Sequence, residues 1–235
     1  MKFHFRFCLV LLLSLTVFRG FSQSIERDEL AQKTFGLDPL LHNGKVYRFF
    51  IAPGTRGTPF FNGPDFVNGS VKLRGILYHD VLLKYDIYNQ QLVYQYYADN
   101  GGVNQIILSD AWLESFDLFD KHFEIVAAKD SAKKIFQTLG RGKVKACFYW
   151  DKNLYLSTQL GATNFEFSEP NRYAYLLLDN QLIKYNNNKS FFKAFPAGYQ
   201  SVLRKYLRQQ NVNMKKASEE VIIHVLDYCN KLLAE

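Results

Sequence analysis

Chemistry needs particular residue types at particular spacings, so the histidines, cysteines, carboxylates and glycine motifs come first. His42, His79, His122 and His224 stand more than four residues apart, and no Cys-x-x-Cys occurs. Metal-ligand spacing is therefore missing. A serine-nucleophile elbow, Gly-x-Ser-x-Gly, is likewise missing. Cys147 could pair with a histidine only through the fold, since no signature residues flank it. Gly140-Arg141-Gly142-Lys143 has neither the glycine spacing of a phosphate loop nor a Ser or Thr after the lysine, and it reads as a turn between strands. Asp110, Glu114, Asp117 and Asp120 recur every three or four residues among apolar neighbours, the pattern of a wet face. Of these, Asp110 and Glu114 are the carboxylates on which a hydrolase acting on envelope material would depend.

Aromatic side chains remain. Tyr94, Tyr96, Tyr97, Trp150, Tyr155 and Tyr173 could line a groove for an apolar, sugar or peptide ligand, because Tyr and Trp join a large contact area to a polar tip. Cross-strand packing explains the same residues. The wall singled out for binding is Tyr85, Tyr94 and Tyr96, with Trp150 beside it; no cofactor is indicated.

These residues must be positioned by strands. Aromatics form 16% of the chain, a content that half-buried pleated surfaces accommodate. Val81–Tyr88 and Gln91–Tyr97 read as a hairpin turning at Asn89-Gln90, with Ile87 opposite Leu92. Alternation then puts Val81, Leu83, Tyr85, Leu92, Tyr94 and Tyr96 on one face, and Lys84, Asp86 and Gln95 on a wet one. Val144–Trp150 against Leu154–Thr158, turning at Asp151-Lys152-Asn153, makes a second hairpin that puts Cys147 on a face with Lys145 and Tyr149. Tyr173–Leu178 against Gln181–Tyr185, turning at Asp179-Asn180, makes a third that is apolar on both faces and so needs cover on both. Further strands are expected at Val46–Ile51, at Val71–Tyr78 with a bend at Gly75, at Gln105–Ser109, and across Trp112–Phe119 and Phe123–Ala127. The long Pro/Gly loop after Ile51 carries Phe60 and Phe61, which either plug the core or face a ligand.

Beyond Asn186 the period becomes helical: a turn before Pro196, then Tyr199 to Leu207, then a stripe from Val221 to Leu233 capped by Ser218 or Asn213. The fold class is α+β and β-dominated, an antiparallel meander forming a curved sheet or open barrel with a C-terminal helical hairpin packed on it. Its meander spans 23–185 and its helices 186–235 of one domain, 23–235. Gln23–Phe35, with Ser24 as cap, supports a short helix at most.

Lys2 and Arg6, the apolar run Cys8–Val17 and the small residues Gly20 and Ser22 have the form of a secretory leader over residues 1–22. The run is too short to span a bilayer, so no transmembrane helix is expected after cleavage. Losing Lys2, Arg6 and Arg19 takes the formal charge from +7 to +4. Cations spread through the chain do not make the dense stripe of a nucleic-acid binder. Cys147 and Cys229 remain, paired in an oxidising compartment or buried apart.

Phe21-Ser22-Gln23, Leu41-His42-Asn43-Gly44-Lys45-Val46-Tyr47, Gly75-x-x-Tyr78-x-Asp80-Val81 leading to Lys84-Tyr85-Asp86, and Leu226-Asp227-Tyr228-Cys229-Asn230 together resemble a group of small secreted proteins of Bacteroidetes-type Gram-negative bacteria. That resemblance implies the periplasm or outer envelope and no assigned activity. At fold level alone, an exported meander with helices on one side looks like the lipoprotein-carrier fold, an open sheet holding acyl chains. The expected function is an exported, non-catalytic envelope protein that binds an apolar small molecule or a partner protein. The alternatives are the carboxylate hydrolase and, third, a membrane-perturbing role.

Overall fold

The computed structural model of the chain describes residues 37–98, 100–129, 132–157 and 164–234. The expected leader and the Ser24-capped stretch lie outside them. The described residues fall in two units divided after Asn43. In the first, Asp38 makes the expected turn: its carboxylate accepts the Leu40 N–H at 2.8 Å and its carbonyl accepts the His42 N–H at 2.9 Å.

The second unit is a sheet with helices on it. Its eleven strands are β1 (Gly44–Val46), β2 (Val67–Leu73), β3 (Ile76–Asp86), β4 (Gln91–Tyr97), β5 (Val103–Leu108), β6 (Leu113–Leu118), β7 (Lys121–Val126), β8 (Lys134–Leu139), β9 (Val144–Asp151), β12 (Asn171–Leu178) and β13 (Gln181–Tyr185). Two more, β10 (Leu154–Leu156) and β11 (Phe165–Phe167), form a separate ribbon. The order β1-β5-β4-β3-β2-β6-β7-β8-β9-β12-β13 is antiparallel at every pairing, and the sheet does not close.

One connection forces this sheet to roll. Three strands separate β5 from β6, a lateral distance of about 19 Å in a flat sheet. Yet only Ser109–Trp112 join them, folded into a turn in which the Trp112 and Leu113 N–H groups both donate to the Ser109 carbonyl. Strong coiling brings the strand ends together. It also brings β3 against strands that are not its neighbours: the Tyr85 ring lies 5.4 Å from those of both Phe116 and Phe123. Inside the roll Leu73, Leu83, Leu92, Leu108, Leu113 and Phe116 are buried with Tyr85.

Tight turns sharpen the twist. Arg74-Gly75, Phe119-Asp120 and Asp179-Asn180 join their strands with both central residues at positive φ, the geometry that matches right-handed strand twist. Gly75 is thus the turn of a β2–β3 hairpin and not a bend within one strand. The third hairpin has the expected register, Leu178 opposite Gln181 and Leu177 opposite Leu182.

Two pairings differ from those read in the sequence. Tyr85 lies opposite Leu92, not Ile87, because a four-residue loop replaces the two-residue turn. The Ile87 and Tyr88 N–H groups leave the ladder for the Pro59 carbonyl. A two-residue shift preserves the faces, so Leu83, Tyr85, Leu92 and Tyr94 still point inward. Likewise β9 does not pair with Leu154–Thr158: it lies between β8 and β12, with Asn171 opposite Asp151 through Leu178 opposite Val144. Eight paired residues outweigh the three that β10 offers, and the intervening segment folds out as the ribbon. The first strand also lies ahead of the expected Val46–Ile51: it spans Gly44–Val46, and residues 47–51 form no strand.

Helices α1 (Asn188–Lys193), α2 (Ala197–Gln209) and α3 (Glu219–Leu232) cover one face of the third hairpin and its neighbours. Asn187 and Ser218 cap α1 and α3. Val144, Ala146, Phe148, Leu176 and Tyr185 of the sheet pack with Phe191, Leu203, Leu207, Ile222 and Leu226 of the helices. Tyr206 and Tyr228 stack at 3.8 Å between α2 and α3. Asn230 stitches α3 to the Gly140–Lys143 turn: its carboxamide accepts the Val144 N–H and donates to the Arg141 and Val144 carbonyls. A Cβ on Gly142, at φ 119°, would come within 2.7 Å of the Asn230 oxygen, so glycine is required for that approach.

The opposite face carries a smaller cluster of Val126, Phe136 and Cys147, edged by Tyr149, Tyr175, Leu177 and Leu182. The β7–β8 connection is tied to the third hairpin by the Lys129 N–H donating to the Asn180 carbonyl. Cys147 and Cys229 therefore belong to different clusters on opposite sides of the sheet, and both are free and buried. Burial pushes each thiol up to about 12, leaving almost no thiolate near neutrality. Without residues 1–22, and so without Cys8, the folded chain should react with neither of two thiol reagent equivalents at pH 8 over minutes, and with both once guanidinium is added. Rapid native labelling would contradict the burial of both side chains.

Candidate functional site

The aromatic wall is occupied by the protein itself. Tyr85 is 1% exposed, and its ring is enclosed by Phe61, Phe116 and Phe123. Tyr94 is also buried, which pushes its phenol up to about 12, and it stacks on Tyr96 at 5.5 Å. Trp150 is half-buried with its ring edge against Phe61 at 5.0 Å. Phe61 plugs this end of the core, and Phe60 turns to the other side of the strand, where the Lys84 ammonium lies 4.0 Å above its ring.

The polar tips of Tyr85 and Trp150 join one relay. The Tyr85 hydroxyl donates to Gln90 Oε1 at 2.9 Å, and Gln90 Nε2 donates to the Trp150 carbonyl at 2.8 Å. The indole N–H donates to Gln137 Oε1 at 3.0 Å, and Gln137 Nε2 donates to Glu219 at 2.9 Å. The Lys121 ammonium closes the line on the same Glu219 oxygen at 2.6 Å. A satisfied network of this kind fixes the docking of α3 on the sheet.

Burial alone would raise the Glu219 carboxyl, but hydrogen bonds from Lys121 and Gln137, with the lysine charge, hold it below its ordinary 4.5. A carboxyl depressed in the folded state stabilises the fold above its unfolded value, and that stabilisation is lost as pH falls through the folded value. Glu219→Gln should therefore flatten the loss of stability between about pH 5 and pH 3, read by urea melts at each pH. An unchanged slope would show that this carboxylate does not couple to folding.

The carboxylates bond to other partners. Glu114 is exposed, bonded to Lys72 at 3.0 Å and to the Gly75 N–H at 2.8 Å, and so braces the β2–β3 turn. Asp110 is exposed at the β5–β6 turn. Ser70 Oγ donates to Asp117 at 2.6 Å, and His122 Nδ1 lies 2.7 Å from the other Asp117 oxygen. The hydroxyl thus bonds the carboxylate and not the imidazole, so the three side chains do not line up in the order serine, histidine, carboxylate. Among the described residues no group of three His, Cys, Asp or Glu side chains could hold a metal ion, and no helix is long and apolar enough to cross a membrane.

Exposed apolar surface gathers elsewhere. Phe50 is 85% exposed, Leu156 56%, Tyr155 45%, Phe165 42% and Ile51 38%. These residues come from two segments held side by side. The Arg56 N–H donates to the Phe165 carbonyl at 2.9 Å and the Phe167 N–H to the Arg56 carbonyl at 3.0 Å, while Gly54 lies against Asn164. Tyr88 links the corner to the body, its ring 5.7 Å from Phe49 and 5.4 Å from Phe167.

The ribbon in this corner has an open edge. Ser168 and Ser157 donate to the Asn153 and Asn164 carbonyls across the β10–β11 ladder. By antiparallel alternation, the backbone groups of Leu154 and Leu156 then point away from β11. Among the described residues no strand pairs with β10 on that side. The sequence reading missed this corner because it gave Phe49-Phe50-Ile51 and Leu156 to buried strands; the alternation Phe165-Glu166-Phe167 was the one signal of the ribbon.

Comparison with known proteins gives no relative: no family model, curated protein or solved structure matches the chain.

Proposed function

We propose that the protein is exported to the cell envelope and acts there as a non-catalytic binding protein whose partner is another envelope protein. The reading rests on one observation, an open β10 edge whose Tyr155 and Leu156 are exposed, with Phe165 exposed opposite Leu156 and Phe50 exposed on the neighbouring segment. An extended segment of the partner adds to the Leu154 and Leu156 backbone groups, and its apolar side chains cover the corner. Strand addition of this kind draws affinity from main-chain hydrogen bonds and specificity from side-chain pockets. Aromatic anchors beside an arginine, here Arg56, are the composition that dominates interface energetics. Export is supported by the form of residues 1–22 and by the resemblance to secreted proteins.

The test is site-specific photo-crosslinking from position 156 in the native host. A single protein adduct is expected, lost in the Phe50→Asp, Phe165→Asp variant and retained when the crosslinker variant carries Tyr97→Ala, a change at an exposed tyrosine of β4. Adducts only to lipid, only to a second copy of the chain, or to nothing would each overturn the reading.

A further inference from the structure

The cations of this protein are unevenly placed. From Gln181 to Ser218 the chain carries Lys184, Lys189, Lys193, Arg204, Lys205, Arg208, Lys215 and Lys216 and no Asp or Glu. These eight charges more than account for the +7 of the whole chain. The segment comprises β13, α1, α2 and the connection to α3, so folding concentrates the charge on the helical side of the molecule.

Within it, three cations border two adjoining hollows that share Asn188, Asn211 and Val212. Arg204 and Arg208, one helical turn apart on α2, line a hollow of about 290 Å³ with Asn188 and Asn211. An adjoining hollow of about 510 Å³ shares those two asparagines and adds Lys189 and Asn213. Among the described residues no carboxylate pairs with Lys189, Arg204 or Arg208. Uncompensated cations around a concavity attract anions by focusing the local field.

The frame of the hollows is fixed. The Asn188 carboxamide donates to the Val212 carbonyl and accepts the Met214 N–H, both at 2.8 Å, which ties α1 to the α2–α3 connection. The Arg204 guanidinium lies 5.7 Å from the Phe192 ring centroid, which limits its rotation. Asn211 holds a left-handed conformation at φ 50° just beyond α2, and Arg208 near the same helix end offsets the negative pole of the helix dipole. Two arginines one turn apart offer the planar, multi-donor recognition that suits phosphate oxygens.

We propose that these adjoining hollows are a phosphate-binding site, with Lys189, Arg204 and Arg208 as charged ligands and the side-chain amides of Asn211 and Asn213 as neutral donors. The ligand is a phosphate ester, carried either by a lipid headgroup or by a free soluble compound. The site shares no residue with the β10 corner, so either proposal stands if the other fails.

The test uses the full mature chain. Inorganic pyrophosphate is titrated by calorimetry at constant ionic strength, and vesicles of phosphatidylglycerol are compared with vesicles of phosphatidylcholine by flotation. Arg204→Gln with Arg208→Gln should weaken pyrophosphate binding about tenfold or more, whereas Lys215→Gln with Lys216→Gln, which removes the same charge outside the hollows, should weaken it less than about threefold. Thermal melting confirms that both pairs fold. Binding of pyrophosphate together with flotation on phosphatidylglycerol assigns a lipid source; pyrophosphate binding alone assigns a soluble one. Equal losses in the two charge-matched pairs, binding of neither probe, or tight capture of single-stranded DNA that pyrophosphate does not displace would overturn the proposal.

Discussion

Replacing Asp86 with alanine should lower the stability of the protein by about 3 kcal/mol, read as a shift of the urea midpoint at unchanged slope. Asp86 is fully buried. One carboxylate oxygen accepts the Tyr88 and Asn89 N–H groups at 3.1 and 2.8 Å, and the other accepts the Tyr47 hydroxyl at 2.9 Å and the Asn89 amide at 2.8 Å. Truncation leaves the Asn89 N–H, the Asn89 amide and the Tyr47 hydroxyl without this acceptor and the Tyr88 N–H with the Pro59 carbonyl alone, and a buried donor without an acceptor costs more than the bond it lost. Burial, with the Asp86 charge and hydrogen bond, in turn raises the Tyr47 phenol well above its usual range. Asp86→Asn keeps one acceptor oxygen and should cost about half as much. A loss under about 1 kcal/mol for the alanine variant would mean that water reaches the donors left without Asp86.

Phe61→Ala should be as damaging, at about 3–5 kcal/mol. The ring belongs to a loop, yet it is 3% exposed and packs against Tyr85, Phe119, Phe123 and Trp150 at 5.0–6.5 Å. Its N–H donates to the Tyr85 carbonyl, and the Pro59 carbonyl accepts the Ile87 N–H. Losing the ring should therefore free the loop as well as open a cavity. Hydrogen exchange at the Phe61 and Ile87 amides is the sharper readout, because both should lose protection before the body of the sheet does. Phe61→Leu, which keeps most of the volume, should cost about 1–2 kcal/mol and leave that protection largely in place. Equal exchange in Phe61→Ala and the wild type would show that the backbone pairing holds the loop without the ring.

Both residues mark where local reading and tertiary structure part. Asp86 falls on the polar side of its strand by alternation, and a strand edge with nothing over it would leave the carboxylate in water. The loop bearing Phe60 and Phe61 lies over that side, so Asp86 ends in the interior beside Tyr47. Composition identified the loop, but nothing local says which strand it covers. The third hairpin was the opposite case. Asp179-Asn180, two residues that tolerate positive φ, fixed its register, and apolar residues on both faces required cover on both sides. Ser218 and the stripe from Val221 were enough to place α3.

The β9 pairing shows the limit of such signals. Leu154 follows β9 after three residues and looks like a hairpin partner, while β12 begins twenty residues later. Pairing strength is set by the number of matched residues and not by closeness along the chain. With β12 in that place, Leu154–Leu156 leaves the sheet and becomes the exposed ribbon. The binding corner proposed above follows from that exchange.

Tyr85 and Tyr94 came from the sequence with the correct inward orientation, since a period of two fixes the face of every strand residue. Whether inward means toward a ligand or toward other side chains depends on what fills the roll. Phe61, Phe116 and Phe123 fill it, arriving from a loop and from two other strands. Likewise, the run of cations without acids from Gln181 to Ser218 is written in the sequence, but the gathering of Lys189, Arg204 and Arg208 around adjoining hollows needs the placement of α1 against α2. Local periodicity and turn chemistry therefore determined the helices and the faces of the hairpin strands, while β8 and β11 went unread and β1 was misplaced. Strand order, the roll of the sheet and the grouping of exposed residues were decided by tertiary structure, because they depend on contacts between segments far apart in the chain.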